Sequence, residues 1–235
     1  MRERTMLQNA NFLCEIGTEE IPAAYLPPAI AFIKKFFGER LKNERIGFGQ
    51  IEVWATPRRL VIIASNVSPA QSEEEVELKG PSVKAAYDAE GKPTKALQGF
   101  LKGNSIEEGQ VVNRSTEKGE YLFATKTLVS NKSGKILPGI IEDLVKSLPF
   151  PKKMRWSDLK LSFPRPIAYF CVLYNAVVVP FELSGISSSN MVRGHYIRYN
   201  QMLEVKSIAG YQDILRENGV LVDHNERRDL IRGEL

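Results

Sequence analysis

Three glutamates, Glu15, Glu19 and Glu20, surround Gly17 in the segment FLCEIGTEEIPAAYLPP near the start of the chain. Carboxylates that lie close together in a pocket can serve as general acids and bases or help to hold a metal ion. A glycine that follows a buried strand is also an ordinary turn, in which the same glutamates would pair with arginines. The segment therefore leaves three roles open: a catalytic site, a metal site and a structural connection.

The rest of the sequence supplies few partners for acid–base or metal chemistry. It has two histidines, His195 in MVRGHYIRY and His224 at a helix start. Cys14 and Cys171 lie in apolar, strand-like runs without metal-ligand spacing, so we expect buried free thiols. GxxxxGK[ST], GxGxxG, HExxH and CxxC motifs are absent. We therefore predict no catalytic residue and no metal site, and an editing or hydrolase-like pocket that uses the three glutamates is the weaker alternative.

The basic residues recur beside prolines or glycine in four short segments: PRR at 57–59, PKKMRW at 151–156, PRP at 164–166 and RGH at 193–195. Proline fixes φ and restricts the residue before it, so nearby guanidinium groups have defined directions. Such groups grip phosphates or carboxylates through two hydrogen bonds, and an aromatic ring can stack on a base. The candidate nucleic-acid-binding residues are Lys152, Lys153, Arg155, Trp156, Arg165 and Arg193, and for PKKMRW a subunit interface is the alternative binding role. For Arg58 and Arg59 we favour structural ion pairs with Glu15, Glu19 or Glu20.

The composition is that of a globular protein with an ordinary core. Hydrophobic residues make up 43% of the 235 residues, and 32 basic residues face 28 acidic ones. A net charge of +4 permits a polyanionic partner without requiring one. No apolar run approaches the roughly 18 residues that span a bilayer, and the N-terminus lacks the apolar region of a secretory signal. We expect a cytoplasmic protein with no membrane partner.

Strand and helix patterns alternate along the chain, and short connections at TPRR, TEKGE and Asn175-Ala176 favour antiparallel pairing. The predicted strands are 12–16, 51–55, 60–65, 110–115, 121–127, 167–174, 177–183 and 220–222. The predicted helices begin at Pro28, Lys95, Ile136, Ser207 and His224, and PAQSEEEVELKGPSV is a loop or edge segment. We predict an α+β fold with mixed or antiparallel sheets, packed helices and two lobes. Residues 1–11 form a disordered leader in this prediction, 12–148 the N-terminal α+β lobe, and 149–235 a second α+β lobe truncated at its C-terminal helix.

Seven segments in one order resemble the N-terminal region of the bacterial glycyl-tRNA synthetase beta subunit: EIGTEEIP, TPRRL, KGPSVKAAYDAEGKPTKALQGFLKG, TEKGEYL, LPFPKKMRW, FPRPI and RGHYI. The resemblance implies a part of a glycine-tRNA ligase with an alpha2-beta2 assembly, which attaches glycine to tRNA(Gly) at the expense of ATP. It implies that ATP and Mg bind at the alpha subunit and that this fragment binds no cofactor. The expected role is tRNA binding and alpha-subunit assembly; a purely structural scaffold is the alternative.

Overall fold

The computed structural model describes residues 9–88, 90–116, 119–156 and 161–235. By the contacts within the chain, these residues form two compact units. Unit 1 consists of the residues up to Gln71 together with Asn131–Leu235, and unit 2 consists of Ser72–Ser130. Unit 2 is therefore an insertion into the sequence of unit 1.

The described elements confirm an α+β fold with mixed and antiparallel sheets. The helices are α1 (Leu26–Asn43), α2 (Val83–Ala86), α3 (Lys95–Asn104), α4 (Ser133–Ser147), α5 (Tyr211–Glu217) and α6 (His224–Gly233). The strands are β1 (Ala10–Thr18), β2 (Ile51–Thr56), β3 (Arg59–Val67), β4 (Glu75–Ser82), β5 (Val111–Thr116), β6 (Gly119–Thr127), β7 (Met154–Arg155), β8 (Ser162–Phe163), β9 (Ile167–Tyr174), β10 (Val177–Val178), β11 (Glu182–Leu183), β12 (Ile186–Ser189), β13 (Met191–Arg193) and β14 (Met202–Glu204).

The main sheet of unit 1 has the strand order β11-β12-β9-β1-β3-β2, and β10 also pairs with β9. Strand β1 lies between β3 and β9 and is antiparallel to both, which places Glu15 opposite Val61 on one side and Cys171 on the other. The pairing of β12 with β9 is parallel, so the sheet is mixed. Strand β1 is buried from Phe12 to Thr18 because both faces of the sheet are covered, which explains its nearly continuous apolar run.

Helices α1 and α4 belong to the core on one face of this sheet. They bury the stripes Leu26, Ala29, Ile33, Phe37 and Leu41 from α1 and Leu137, Ile140, Ile141, Leu144 and Val145 from α4. The apolar period predicted this α4 stripe. Helix α1 begins at Leu26, before the predicted start at Pro28, because Pro27 and Pro28 fall in its first turn, where backbone N–H groups have no helical acceptor.

The opposite face packs a second core that includes Leu13, Cys171 and Tyr211. The helix expected from Ser207 is shorter here and begins at Tyr211, because Ser207 Oγ accepts a hydrogen bond from the backbone N–H of Gly210 and closes a separate turn. The strand predicted at 220–222 is wrong: these residues make no strand pairing, and buried Val222 contributes to the core instead.

The two compact units differ from the two lobes expected from the sequence. The expected boundary after residue 148 falls inside unit 1, because β9 pairs along the length of β1 and so joins residues from both sides of that boundary into one sheet. The expected leader is also shorter, since β1 already includes Ala10 and Asn11, and residues 1–8 lie outside the described range.

Unit 2 has its own antiparallel sheet, in the order β4-β6-β5, and a small core that includes Ala86, Leu97 and Leu122. The segment predicted as loop or edge forms the edge strand β4. Part of the predicted TEKGE turn, residues 117–118, lies outside the described residues. Among the helices that the structure describes, none combines the length and apolarity needed to cross a membrane.

Candidate functional site

Glu15 lies within β1 with no exposed surface, and its carboxylate is held by three side chains. Tyr169 donates its hydroxyl proton to Oε1 at 2.5 Å, and Tyr211 donates to Oε2. Arg59 Nη1 lies 3.3 Å from Oε1, and Arg59 Nη2 donates to the carbonyl oxygen of Arg193 at 2.9 Å. A buried carboxylate is costly unless it is paired and hydrogen-bonded, and these contacts meet both conditions. We call Glu15, Arg59, Tyr169 and Tyr211 the buried cluster.

Gly17 makes room for this arrangement. It lies opposite Tyr169 across β1 and β9, and a Cβ atom at residue 17 would come within 2.2 Å of the tyrosine ring. The ring can therefore lie over the glycine backbone and bring its hydroxyl to Glu15. The same hydroxyl accepts a hydrogen bond from the backbone N–H of Arg193 at 3.1 Å, which ties the end of β13 to the main sheet.

The electrostatics of the buried cluster keep the two phenols protonated and the guanidinium charged. Burial, followed by the charge of Glu15, raises the pKa of Tyr169 and of Tyr211. Burial acts to lower the pKa of Arg59, but the interactions with Glu15, Tyr169 and Tyr211 together outweigh it and the pKa is raised. Both oxygens of the Glu15 carboxylate thus accept hydrogen bonds from groups that keep their protons. This arrangement suits a structural anchor and is unfavourable for a general base.

Arg58, the neighbour of Arg59, has a more exposed environment. Its Nη1 lies 2.6 Å from Glu19 Oε2, its Nη2 lies 3.6 Å from Glu20 Oε2, and its guanidinium lies 3.7 Å from the centre of the Tyr196 ring. The side chains of Arg58 and Glu19 are 26% and 44% exposed, so each pair contributes at most about 1 kcal/mol. These contacts orient the guanidinium more than they stabilise the fold.

A cavity of about 610 Å³ in unit 1 lies beside these two arginines. Four arginines contribute to its wall, together with one glutamate: Arg58, Arg59, Arg193, Arg227 and Glu20. Aromatic and apolar side chains complete much of the remainder, among them Tyr169, Tyr196, Ile197 and Leu221. We call this space the arginine cavity. Its chemistry suits an anionic ligand that also has an apolar or flat part.

The other candidate residues from the sequence are not gathered in that cavity. Lys152 and Arg155 are exposed. Lys153 Nζ donates to the carbonyl oxygen of Lys146 at 3.2 Å, and burial lowers its pKa. Trp156 Nε1 donates to the carbonyl oxygen of Phe163 at 3.0 Å, which fixes the indole against the following strand.

Two of these candidates share a second cavity, of about 540 Å³, with Glu19 and Glu20. They are Trp156 and Arg165, and Arg165 Nε donates to the carbonyl oxygen of Glu20 at 2.9 Å. Arg193 alone of the six nucleic-acid candidates lines the arginine cavity. The six residues therefore do not form one site on unit 1.

The three glutamates considered for an acid–base pocket do not form one group. Glu15 faces the buried cluster, whereas Glu19 and Glu20 pair with Arg58. In the ranges that the structure describes, no three His, Cys, Asp or Glu side chains form a group that could hold a metal ion. Cys14 and Cys171 are buried free thiols, as predicted, and burial raises the pKa of each.

Sequence reasoning missed Thr18, Tyr169, Tyr211 and Arg227. Tyr169 and Tyr211 lie 154 and 196 residues from the glutamate they contact, so no local pattern connects them. Arg227 reaches back from α6 to the carbonyl oxygen of Ala55 at 3.2 Å. The one available signal was Gly17 within an otherwise apolar strand, because such a glycine often marks close approach of another group.

Comparison with known proteins gives one consistent result. The profile of the family described as glycyl-tRNA synthetase beta subunit matches residues 12–235. The glycine–tRNA ligase beta subunit of Syntrophotalea carbinolica is 39% identical over 227 residues, which cover 97% of this chain and 33% of the relative. That of Geobacter sp. strain M21 is 38% identical over 221 residues, covering 94% and 32%. The chain spans about a third of the length of the curated relatives it matches.

Proposed function

Because the chain belongs to the glycyl-tRNA synthetase beta-subunit family, we propose that it contributes tRNA binding and alpha-subunit assembly to a cytoplasmic glycine–tRNA ligase. The match of the family profile along residues 12–235 is the observation that carries this proposal. The ligase would attach glycine to tRNA(Gly) with ATP, in an alpha2-beta2 assembly whose aminoacylation site, with its ATP and Mg, lies on the alpha subunit. The role proposed for this chain is non-covalent binding.

The exposed cations near β7 support a contact with a polyanion. Lys152 and Arg155 are exposed, and neither makes an ion pair with an acidic side chain in the part of the chain that the structure describes. Unpaired exposed cations can neutralise phosphates of a nucleic-acid backbone. Trp156 follows them directly, and its indole is held by the Phe163 carbonyl, so one end of this basic segment is fixed.

A structural scaffold is the second candidate, and the environment of Arg58 and Arg59 favours it. Both arginines pair with glutamates of the same unit, so much of their charge is already neutralised. An editing or hydrolase role for Glu15 has less support, because both of its carboxylate oxygens accept hydrogen bonds from tyrosines.

The test measures binding of the 235-residue chain to tRNA(Gly) and, separately, to the alpha subunit, each at a low and a high salt concentration. We expect tRNA binding that weakens with salt, and in the double variant Lys152→Ala/Arg155→Ala a slope of log affinity against log salt that is shallower by about 2. The matched control is Lys34→Ala/Lys42→Ala, which removes the same charge from exposed positions of α1. If the first double variant keeps wild-type affinity for both tRNA and the alpha subunit, these residues are not the contact.

A further inference from the structure

The arginine cavity holds polar groups that the protein itself does not satisfy. Thr18 Oγ1 is buried, and it has no hydrogen-bond partner among the residues that the structure describes. Arg59 Nε is also buried and has no hydrogen-bond partner among those residues. The Arg193 guanidinium, which lines the cavity, makes no hydrogen bond or ion pair with any side chain in the described ranges. A buried polar atom without a partner costs free energy, but Thr18 Oγ1 and Arg59 Nε lie beneath the cavity surface, so the Arg193 guanidinium is the donor that remains available to an anion.

The charges around the cavity are not fully compensated. Glu15 faces Arg59, and Glu19 and Glu20 face Arg58. Arg227 instead donates to the carbonyl oxygens of Leu221, at 2.6 Å, and of Ala55. Burial lowers the pKa of Arg227, and the charge of Asp223 offsets only part of this effect. With Arg193 unpaired, the wall has an excess of positive charge that favours an anion.

His195 adds a further donor to the same wall. Its Nδ1 accepts hydrogen bonds from the backbone N–H groups of Ile197 and Arg198, both at 3.2 Å. The ring proton of the neutral imidazole is therefore on Nε2, which can donate. The backbone N–H of His195 donates to the carbonyl oxygen of Asn218 at 2.9 Å, so the residue is fixed in the cavity wall.

The other part of the cavity wall is flat and apolar. The Tyr196 ring is held by the Arg58 guanidinium yet remains 45% exposed, and the neighbouring Ile197 is 81% exposed. Tyr169 and Leu221 extend the apolar part of the wall. Because the tyrosine ring is already held in place, a planar group can stack on it with little further loss of entropy.

We propose that the arginine cavity is a nucleotide-binding site, in which Arg193 and His195 receive the phosphate and the base lies against Tyr196. A volume of about 610 Å³ is within the usual range for small-molecule sites. A free amino acid fits less well, because its ammonium group would have only Glu20, itself paired with Arg58, as an acidic partner. Inorganic phosphate alone would leave the apolar wall in contact with water.

The nucleotide can be a free nucleoside monophosphate or an unpaired nucleotide of an RNA strand, since both present a phosphate and a base. The site is separate from the Lys152–Arg155 segment, so this inference goes beyond the function proposed above and does not depend on it. Its test uses no tRNA and no alpha subunit, and failure of one proposal leaves the other intact.

The experiment is equilibrium dialysis of the 235-residue chain against adenosine monophosphate, with adenosine, inorganic phosphate and a short single-stranded RNA as competitors. We expect adenosine monophosphate to bind at least about tenfold more tightly than adenosine or phosphate, since only the nucleotide engages both parts of the wall. Displacement by the RNA at lower concentrations assigns the site to an RNA nucleotide, and displacement only at higher concentrations assigns it to a free nucleotide.

Three single variants locate the binding. Arg193→Gln and Tyr196→Ala should each weaken nucleotide binding by about tenfold. Arg198→Gln removes the same charge from the same loop, but Arg198 does not line the cavity, so its affinity should match the wild type. Urea unfolding of each variant confirms that the fold is retained. The proposal is overturned if the wild type binds no nucleotide, if phosphate competes as well as the nucleotide, or if Arg193→Gln and Arg198→Gln weaken binding equally.

Discussion

The buried cluster around Glu15 and the basic segment at Lys152–Arg155 both concentrate charge, but the surroundings of that charge differ. In the cluster, Glu15 is 0% and Arg59 is 4% exposed, and two tyrosines complete the hydrogen bonds. In the basic segment, Lys152 and Arg155 face solvent without acidic partners among the described residues. Buried charges must be satisfied by the fold itself and so fix its geometry, whereas exposed charges remain available to a partner.

The largest expected effect comes from removing the charge at the centre of the cluster. Glu15→Gln leaves Arg59 buried without its counter-ion, and breaking a buried pair in this way costs about 3–5 kcal/mol. The free energy of unfolding in urea measures this loss. Glu19→Gln is the matched control, because its pair with Arg58 is partly exposed and its loss should cost less than about 1 kcal/mol. Equal losses in the two variants would mean that burial does not distinguish the pairs.

Gly17→Ala tests whether the position of the Tyr169 ring requires a residue without a side chain at position 17. The new Cβ would lie 2.2 Å from the ring, so the ring must move away from Glu15. Forcing extra atoms into a packed site typically costs about 1–3 kcal/mol, measured by the same unfolding experiment. Gly139→Ala in α4 is the control, since nothing lies within 4 Å of its Cβ position and alanine favours the helix by about 0.5–1 kcal/mol. A neutral Gly17→Ala would contradict the proposed close packing.

Alkaline pH should weaken the buried cluster. Burial, and then the charge of Glu15, raises the pKa of Tyr169 and Tyr211 above the ordinary value of 10.0. Below that pH both phenols are protonated in the folded and the unfolded chain, so their contribution is complete. Above it the unfolded chain ionises first, and the free energy of unfolding falls as pH rises. The buried thiols of Cys14 and Cys171 act with the same sign from their ordinary value of 9.0.

Urea unfolding at a series of pH values measures this slope. Tyr211→Phe removes one of the titrating groups and should make the fall above pH 10 less steep. The Lys152→Ala/Arg155→Ala variant should keep the wild-type slope. A free energy of unfolding that stays constant or rises through this range would show that the phenols are not held in their protonated form.

The smallest expected effect is on the stability of the basic segment. Because Lys152 and Arg155 are exposed and unpaired in the described structure, the Lys152→Ala/Arg155→Ala variant should unfold within about 0.5 kcal/mol of the wild type. Thermal or urea unfolding checks this value. A loss comparable with that of Glu15→Gln would place the two cations in the framework of the fold and would end the contrast between the two regions.

Local sequence patterns predicted much of the secondary structure because helices and strands have short periods. The stripe from Leu137 to Leu148 predicted α4 closely, and the apolar run 167–174 is the strand β9. The charges of Glu15 and Arg59 were also recognised as possible partners, since few other groups could satisfy a charge in a buried strand. For the helix and the strand, the information lies within a few residues of the element itself.

Contacts between residues far apart in the sequence could not be predicted from such local patterns. Tyr211 reaches Glu15 only because α5 packs on the sheet face that contains Leu13, and nothing near Tyr211 in the sequence indicates that face. The boundary placed after residue 148 failed for a similar reason: the pairing of β9 with β1 depends on the whole fold of unit 1. The arginine cavity combines residues from β1, β3, β13 and α6, so its composition follows from the topology.

The place where the chain leaves and re-enters unit 1 has a consequence for how this protein can vary. The backbone N–H of Gln71 donates to the carbonyl oxygen of Asn131 at 3.0 Å, and Ala70 pairs with Lys132 in an antiparallel bridge. The two ends of the insertion therefore lie side by side, and the entropy of closing a loop rises only slowly with its length. We therefore expect residues 72–130 to tolerate shortening, lengthening or replacement while every strand of the main sheet of unit 1 keeps its neighbours.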